Sequence, residues 1–208
     1  KYLGNTDYQL TAGLESSMLN TSRLNLMINQ NYIYLFSAFD PTRNGNRELP
    51  EGSEYHYTNL ELNYSGDTRN AFYVNIRANT GEYFNGTRIN LEGSISWRYQ
   101  PLGFTSIAFA YNNIKLPDPY NDAVLFLIGP RFDFTFTKKL FWTTFVQYNT
   151  QIENLNINSR LQWRFAPVSD FFLVYTDNYL ATDDEGFINL GPSKSRALVF
   201  KLTYWLNL

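Results

Sequence analysis

The sequence predicts an all-β protein, an antiparallel up-and-down transmembrane β-barrel, on three observations. Apolar and polar residues alternate with a period of two, most plainly at 156–165, where Ile157, Leu161, Trp163 and Phe165 oppose Asn156, Asn158, Arg160, Gln162 and Arg164. Aromatic residues make up 18% of the chain; Phe and Tyr favour strands, and Tyr and Trp collect at membrane interfaces. No apolar run approaches the roughly 18 residues a spanning helix needs, whereas alternation hides a barrel's apolar band from that criterion. Two arginines lie on the polar side of 156–165, so the polar face is read as the inner one.

Each element follows from the same period. Over 8–15, Tyr8, Leu10, Ala12 and Leu14 oppose Gln9, Thr11, Gly13 and Glu15, and a polar turn at 20–22 ends the run. A long strand is expected over 24–38, its even positions apolar except for Gln30. Residues 40–54, with Pro41, Gly45, Pro50 and Gly52, read as a long loop. Strands at 55–65 and 71–80 flank a turn at 66–70, and 82–87 makes a Gly-containing connection. In 89–100, Ile89, Leu91, Ile95, Trp97 and Tyr99 face away from Asn90, Glu92, Ser94, Ser96, Arg98 and Gln100, before a turn at 101–103. Strand 104–113, a Pro-rich loop at 115–122 and strand 123–137 come next, with Phe132, Phe134 and Phe136 on one face. Lys138 and Lys139 turn the chain into 140–148. After 156–165, a turn at 167–170 reverses the chain, because proline cannot donate to a ladder and Ser and Asp favour turns. Strand 171–175, a long loop over 177–193 and a last strand over 196–208, with Leu198, Phe200, Leu202, Tyr204, Leu206 and Leu208 alternating, complete the chain.

These make about eleven strands of roughly 10 to 15 residues, long for a soluble sheet and suited to crossing a bilayer at a tilt. Connections alternate between short (20–22, 66–70, 101–103, 138–139, 167–170) and long, as in barrels with short periplasmic turns and longer extracellular loops. The short ends are therefore expected on the periplasmic side, together with the carboxy terminus. Trp97, Trp142, Trp163 and Trp205 fall within about four residues of those ends, as a periplasmic-side aromatic girdle would. The first and last strands then run the same way. Single-chain bacterial barrels have even strand numbers, so residues 1–208 are expected to be the carboxy-terminal portion of a larger barrel. The start at Lys1, without Met, reads as processed or truncated.

On this scheme the lumen receives Glu61, Arg77, Glu92, Arg98, Arg131, Asp133, Arg160, Arg164 and Lys201. A basic excess there would favour anionic solutes; the alternative is mutual pairing that merely satisfies a polar interior. Asp183, Asp184 and Glu185 form an acidic loop cluster without a recognised calcium spacing, so no metal is assigned. The only histidine, His56, falls on the outward set, and Glu82 and Glu153 are an acid/base pair only if loops unite them. No catalytic residue and no cofactor are assigned. Tyr83, Phe84, Tyr120 and Tyr179 could stack on sugars, but an outer aromatic girdle accounts for them. A formal charge of −2 gives no reason to expect nucleic acid, and the absence of Cys removes disulfides and thiol chemistry.

The run GPRFDFTFTKKLFWTTFVQYNTQIENLNINSRLQWRFAPVSDFFLVYTDN, with YFNGTRINL and NNIKLPDPY upstream and RALVFKLTYWLNL at the end, resembles the carboxy-terminal barrel of Bacteroidota-type envelope proteins from about Phe39 onward. In that family the barrel follows an amino-terminal domain similar to carbohydrate-binding family 9, which this chain lacks, and no activity is established. The resemblance implies a Gram-negative outer membrane and an expected role: anchoring, or forming a porin-like pore for, a surface glycan-handling protein or an accessory subunit of an envelope complex. Partners are then outer-membrane lipid and other complex subunits, with glycan reached through the absent domain. The alternatives are a closed structural barrel that docks partner proteins, and a loop-borne hydrolase acting on glycans or lipids.

Overall fold

The computed structural model describes residues 6–45, 47–184 and 187–206. Eleven strands form one antiparallel sheet in sequence order: β1 (Asp7–Ser17), β2 (Arg23–Tyr34), β3 (Glu54–Ser65), β4 (Phe72–Tyr83), β5 (Gly86–Tyr99), β6 (Gly103–Lys115), β7 (Ala123–Thr137), β8 (Leu140–Asn149), β9 (Asn154–Ala166), β10 (Ser169–Asp184) and β11 (Phe187–Thr203). There is no helix among the described residues. The register carries the sequence alternation from strand to strand. Leu14, Leu26, Leu62 and Ala78 stand level on one face, and Glu15, Asn25, Asn63 and Arg77 on the other. A slip of one residue would exchange the two sets, so the pattern itself fixes the pairing.

The chain forms two compact units, one comprising Lys1–Asp67, Val74–Gly93 and Ala110–Phe126, the other Thr68–Tyr73, Ser94–Phe109 and Leu127–Leu208. In the first, a buried apolar cluster is formed by Leu35, Leu49 and Phe84, with Ile33, Phe39, Tyr55, Tyr83 and Tyr120 against it. Residues 35–53 close it: the Phe39 and Leu49 amides and carbonyls bond reciprocally at 3.1 and 2.7 Å. Asp40 shapes the tip, accepting from the Thr42 amide at 2.8 Å, the Thr42 hydroxyl at 2.5 Å and the Asn44 amide at 3.1 Å. In the second unit β7–β11 are continuous partners, and large apolar side chains on one face stay exposed, among them Phe136, Trp163 and Phe200.

Several expected boundaries move, each for a local reason. The strand expected over 24–38 ends at Tyr34, because the chain beyond it turns to the Leu49 bridge. The connection expected over 82–87 is only Phe84 and Asn85. Phe84 takes a positive φ of 51°, held there by burial of its ring, and Gly86 follows where a Cβ would collide with the Lys115 carbonyl. Residues 177–184 and 187–193 are not loop: β10 and β11 extend through them, paired antiparallel. The register shift at Asn178/Tyr179 passes over Lys194, and the one at Tyr179/Ala181 absorbs Gly191 and Pro192. The turn expected at 167–170 is Pro167 and Val168 alone, and Asp170 lies inside β10. The last strand stops at Thr203, and Leu208 is outside the described residues.

The strict alternation of short and long connections therefore fails. At one end of the sheet the connections are 35–53, 84–85, 116–122, 150–153 and 185–186; at the other, 18–22, 66–71, 100–102, 138–139 and 167–168. Only 35–53 stands clearly apart in length.

Candidate functional site

Because strands alternate, the residues that share a face can be read directly from the registers. In the first unit the polar face is rich in asparagine. Thr11 donates to Asn29 at 2.8 Å, Asn29 to Asn59 at 3.2 Å, and Asn79 to the same Asn59 oxygen at 3.1 Å. One level along, Asn63 donates to Glu61 at 2.8 Å and accepts from Arg77 Nε at 2.9 Å. Asn90 donates to Glu92 at 2.9 Å. Such a ladder satisfies short amides with one another and leaves little charge uncompensated.

The polar face of the second unit is different in chemistry. Arg131 binds Asp133 through two contacts, 2.8 and 3.2 Å, while the Thr143 hydroxyl donates to Asp133 at 2.8 Å. Arg164 Nε meets Asp170 at 3.2 Å, and Gln162 donates to the same carboxylate oxygen at 3.1 Å. Arg98 donates to the Thr68 carbonyl at 3.3 Å and lies 6.0 Å from the Tyr73 ring centre. These last residues border a recess of about 430 Å³ that also includes Asp133 and Thr135. Among the described residues, Arg160 and Lys201 have no ion pair and no side-chain hydrogen bond. Their registers place both on this face, Arg160 opposite Thr143 and Val174, and Lys201 opposite Phe172.

On the opposite face of this unit Trp97, Trp142 and Trp163 gather at the end bearing turns 100–102, 138–139 and 167–168. Trp97 lies 5.3 Å from Tyr99, Trp142 stacks on Phe134 at 5.5 Å and Trp163 lies 5.8 Å from Phe165. Trp205 follows the end of β11 and is exposed. Trp142 also donates its indole N–H to Ser159 at 2.8 Å, and Thr144 and Ser159 share a hydrogen bond of 2.8 Å, so the polar pair on this apolar face is internally satisfied.

In the first unit His56 stands on the apolar face beside Tyr32, their ring centres 4.7 Å apart, with Tyr8 stacked on Tyr32 at 5.1 Å. Tyr83, Phe84 and Tyr120 belong to the buried cluster rather than to an outer girdle, because residues 35–53 fold back over them. Glu82 is committed to the backbone: it accepts from the Thr58 amide at 2.8 Å just where the β3–β4 ladder gives out beyond Gly81. Glu153 lies in the 150–153 turn with a φ of 46°. Asp183 and Asp184 are strand positions of β10, and Glu185 is outside the described residues. Among the described residues no three metal-ligating side chains converge.

Sequence reasoning missed one constellation. Asp177 sits on the apolar face with no exposed side-chain surface, accepting from Tyr175 Oη, Ser193 Oγ and Arg196 Nε, each at 2.6 Å, and from the Asn178 amide at 3.0 Å. Arg196 also donates to Tyr179 Oη at 3.0 Å. The signal was present: Arg196 interrupts the apolar series that continues as Leu198, Phe200 and Leu202, and a charge in such a series requires a partner. Reading 177–193 as loop concealed that partner. Compared with protein-family models, curated proteins and solved structures, the chain matches none.

Proposed function

We propose that the chain is part of an outer-membrane β-barrel, its apolar face in lipid and its polar face lining a solute pathway. The observation that carries this reading is the division of the sheet's side chains. Ile28 and Ile89 at 51% exposed, and Trp97 at 58%, stand open on the apolar face, while the polar face collects amides and charges. A water-soluble sheet buries its apolar face in a core, and among the described residues the one buried cluster is the small group under residues 35–53. The tryptophans at one end match an interfacial belt, and that end is periplasmic in this proposal. The carboxy-terminal end of β11 is then periplasmic, and loop 35–53 extracellular. Service to a surface glycan-handling protein rests on the sequence resemblance alone.

The test is reconstitution of the full-length chain into planar lipid bilayers. Discrete conductance steps are expected, and stable insertion with no conductance at all overturns the pathway. A second reading, a closed barrel that docks partners, is favoured by the Leu35, Leu49 and Phe84 cluster, which lies on the polar-face side of Ile33 and Tyr55. Co-purification of a membrane partner that is lost when 36–52 is shortened would support it.

A further inference from the structure

We propose that the polar face of β7–β11 is a binding track for small multivalent oxyanions of the phosphate class. This rests on the solute-pathway reading and names what the pathway takes.

The registers arrange this face in levels. Ala197, Thr176, Asn158, Phe145 and Arg131 form one level; Val199, Val174, Arg160, Thr143 and Asp133 form the next. Lys201, Phe172, Gln162, Phe141 and Thr135 follow, and then Thr203, Asp170 and Arg164. Successive levels are two residues apart along each strand, about 6.8 Å. Each of the four therefore carries one cation: Arg131, Arg160, Lys201, Arg164. They lie on β7, β9, β11 and β9, so successive cations are two strands apart across the sheet, about 9.6 Å, as well as one level apart along the strands, the direction a solute travels in a barrel.

Charge balance separates this arrangement from a merely satisfied interior. Arg131 and Arg164 hold Asp133 and Asp170, yet their side chains remain 53% and 47% exposed, with donors left over. Arg160 and Lys201 are exposed and make no ion pair or side-chain hydrogen bond among the described residues, Arg160 facing Asp133 only across Thr143, and Arg98 has a carbonyl and a ring instead of an acid. Were the cations there only to pair, each would be expected to have an acid; in the first unit Arg77 is instead absorbed into an Asn63–Glu61 network. Guanidinium forks match oxyanions two oxygens at a time, and cations one level apart favour an anion with more than one charged oxygen. Phe141, Phe145 and Phe172 separate the cations with walls that offer no competing acceptor.

The experiment titrates sodium pyrophosphate into the full-length chain in detergent micelles by calorimetry, with sodium chloride as the monovalent reference, and does not require conductance. Saturable pyrophosphate binding is expected, weakened about tenfold by R160Q and by K201Q and unchanged by K115Q. Far-UV circular dichroism of each variant shows whether the sheet is retained. No binding, or binding equal in wild type, R160Q and K201Q, overturns the proposal. If binding responds to R160Q while bilayers carry no current, the anion site stands and the conducting pathway falls. If bilayers conduct but pyrophosphate neither binds nor blocks, the pathway stands and the anion site falls.

Discussion

Asp177 and Arg196 place a full ion pair beside Ile157, Tyr175 and Leu198, a neighbourhood in which an unpaired charge is expensive. Since Asp177 is wholly buried and Arg196 more than half exposed, the acid depends on its donors more than the base depends on the acid. Asp177→Leu should therefore destabilise the protein by about 2 to 4 kcal/mol, and the double change Asp177→Leu with Arg196→Met should recover much of that loss. Urea unfolding in lipid vesicles reads both, and additive losses would contradict the pairing account. The two faces give a second contrast at neighbouring positions. Leu161→Arg, on the apolar face near mid-strand, is expected to cost about 2 to 4 kcal/mol in a bilayer, and Gln162→Arg far less. Equal sensitivity at 161 and 162 would remove the lipid-facing assignment. Which face each of these residues occupies was legible in the sequence, because a period of two needs no tertiary information. What Asp177 binds was not, because Arg196 opposite it and Ser193 beyond one register shift lie on a second strand in a stretch whose Gly and Pro read as loop.

At the scale of elements, the hairpin β4–β5 shows how a short connection escapes a reading by composition. The residues 82–87 contain charge, aromatics and glycine, yet the turn needs only Phe84 and Asn85, and Asn85-Gly86 was the available hairpin signal. Gly86 runs against Lys115 and Leu116 too closely for a side chain. Gly86→Ala should thus lower stability by about 1 to 3 kcal/mol, visible as a lower midpoint in the same urea titration; an unchanged midpoint would mean that the two strands part easily there. Element existence came through in the sequence for all eleven strands, and so did the short connection at 138–139, whereas the extents of those expected at 82–87, 167–170 and 177–193 did not. Gly and Pro at 177–193 read as loop residues until the bulges that accommodate them are known. The sidedness of the connections remains testable one cysteine at a time. With an impermeant thiol reagent on intact cells, a cysteine replacing Arg43 in loop 35–53 should label and one replacing Lys138 should not. The reverse pattern would invert the proposed orientation.

For the whole molecule, the decisive property is the order of the sheet: each strand follows its predecessor in sequence and lies beside it in space. Closing such contacts requires only short loops, so assembly can proceed by adding one strand to the edge left by the last. The same order makes the hairpin a removable module. Removing β8 and β9 together brings β7 and β10 side by side still antiparallel, whereas removing β9 alone reverses the direction of everything that follows. Deletion of 140–166 should accordingly yield a chain that still gains β-structure in vesicles, and deletion of 154–166 one that does not, as circular dichroism would report. A lineage carrying this fold can then change its strand number in steps of two by duplication or loss of a single short stretch of DNA, leaving the remaining registers undisturbed.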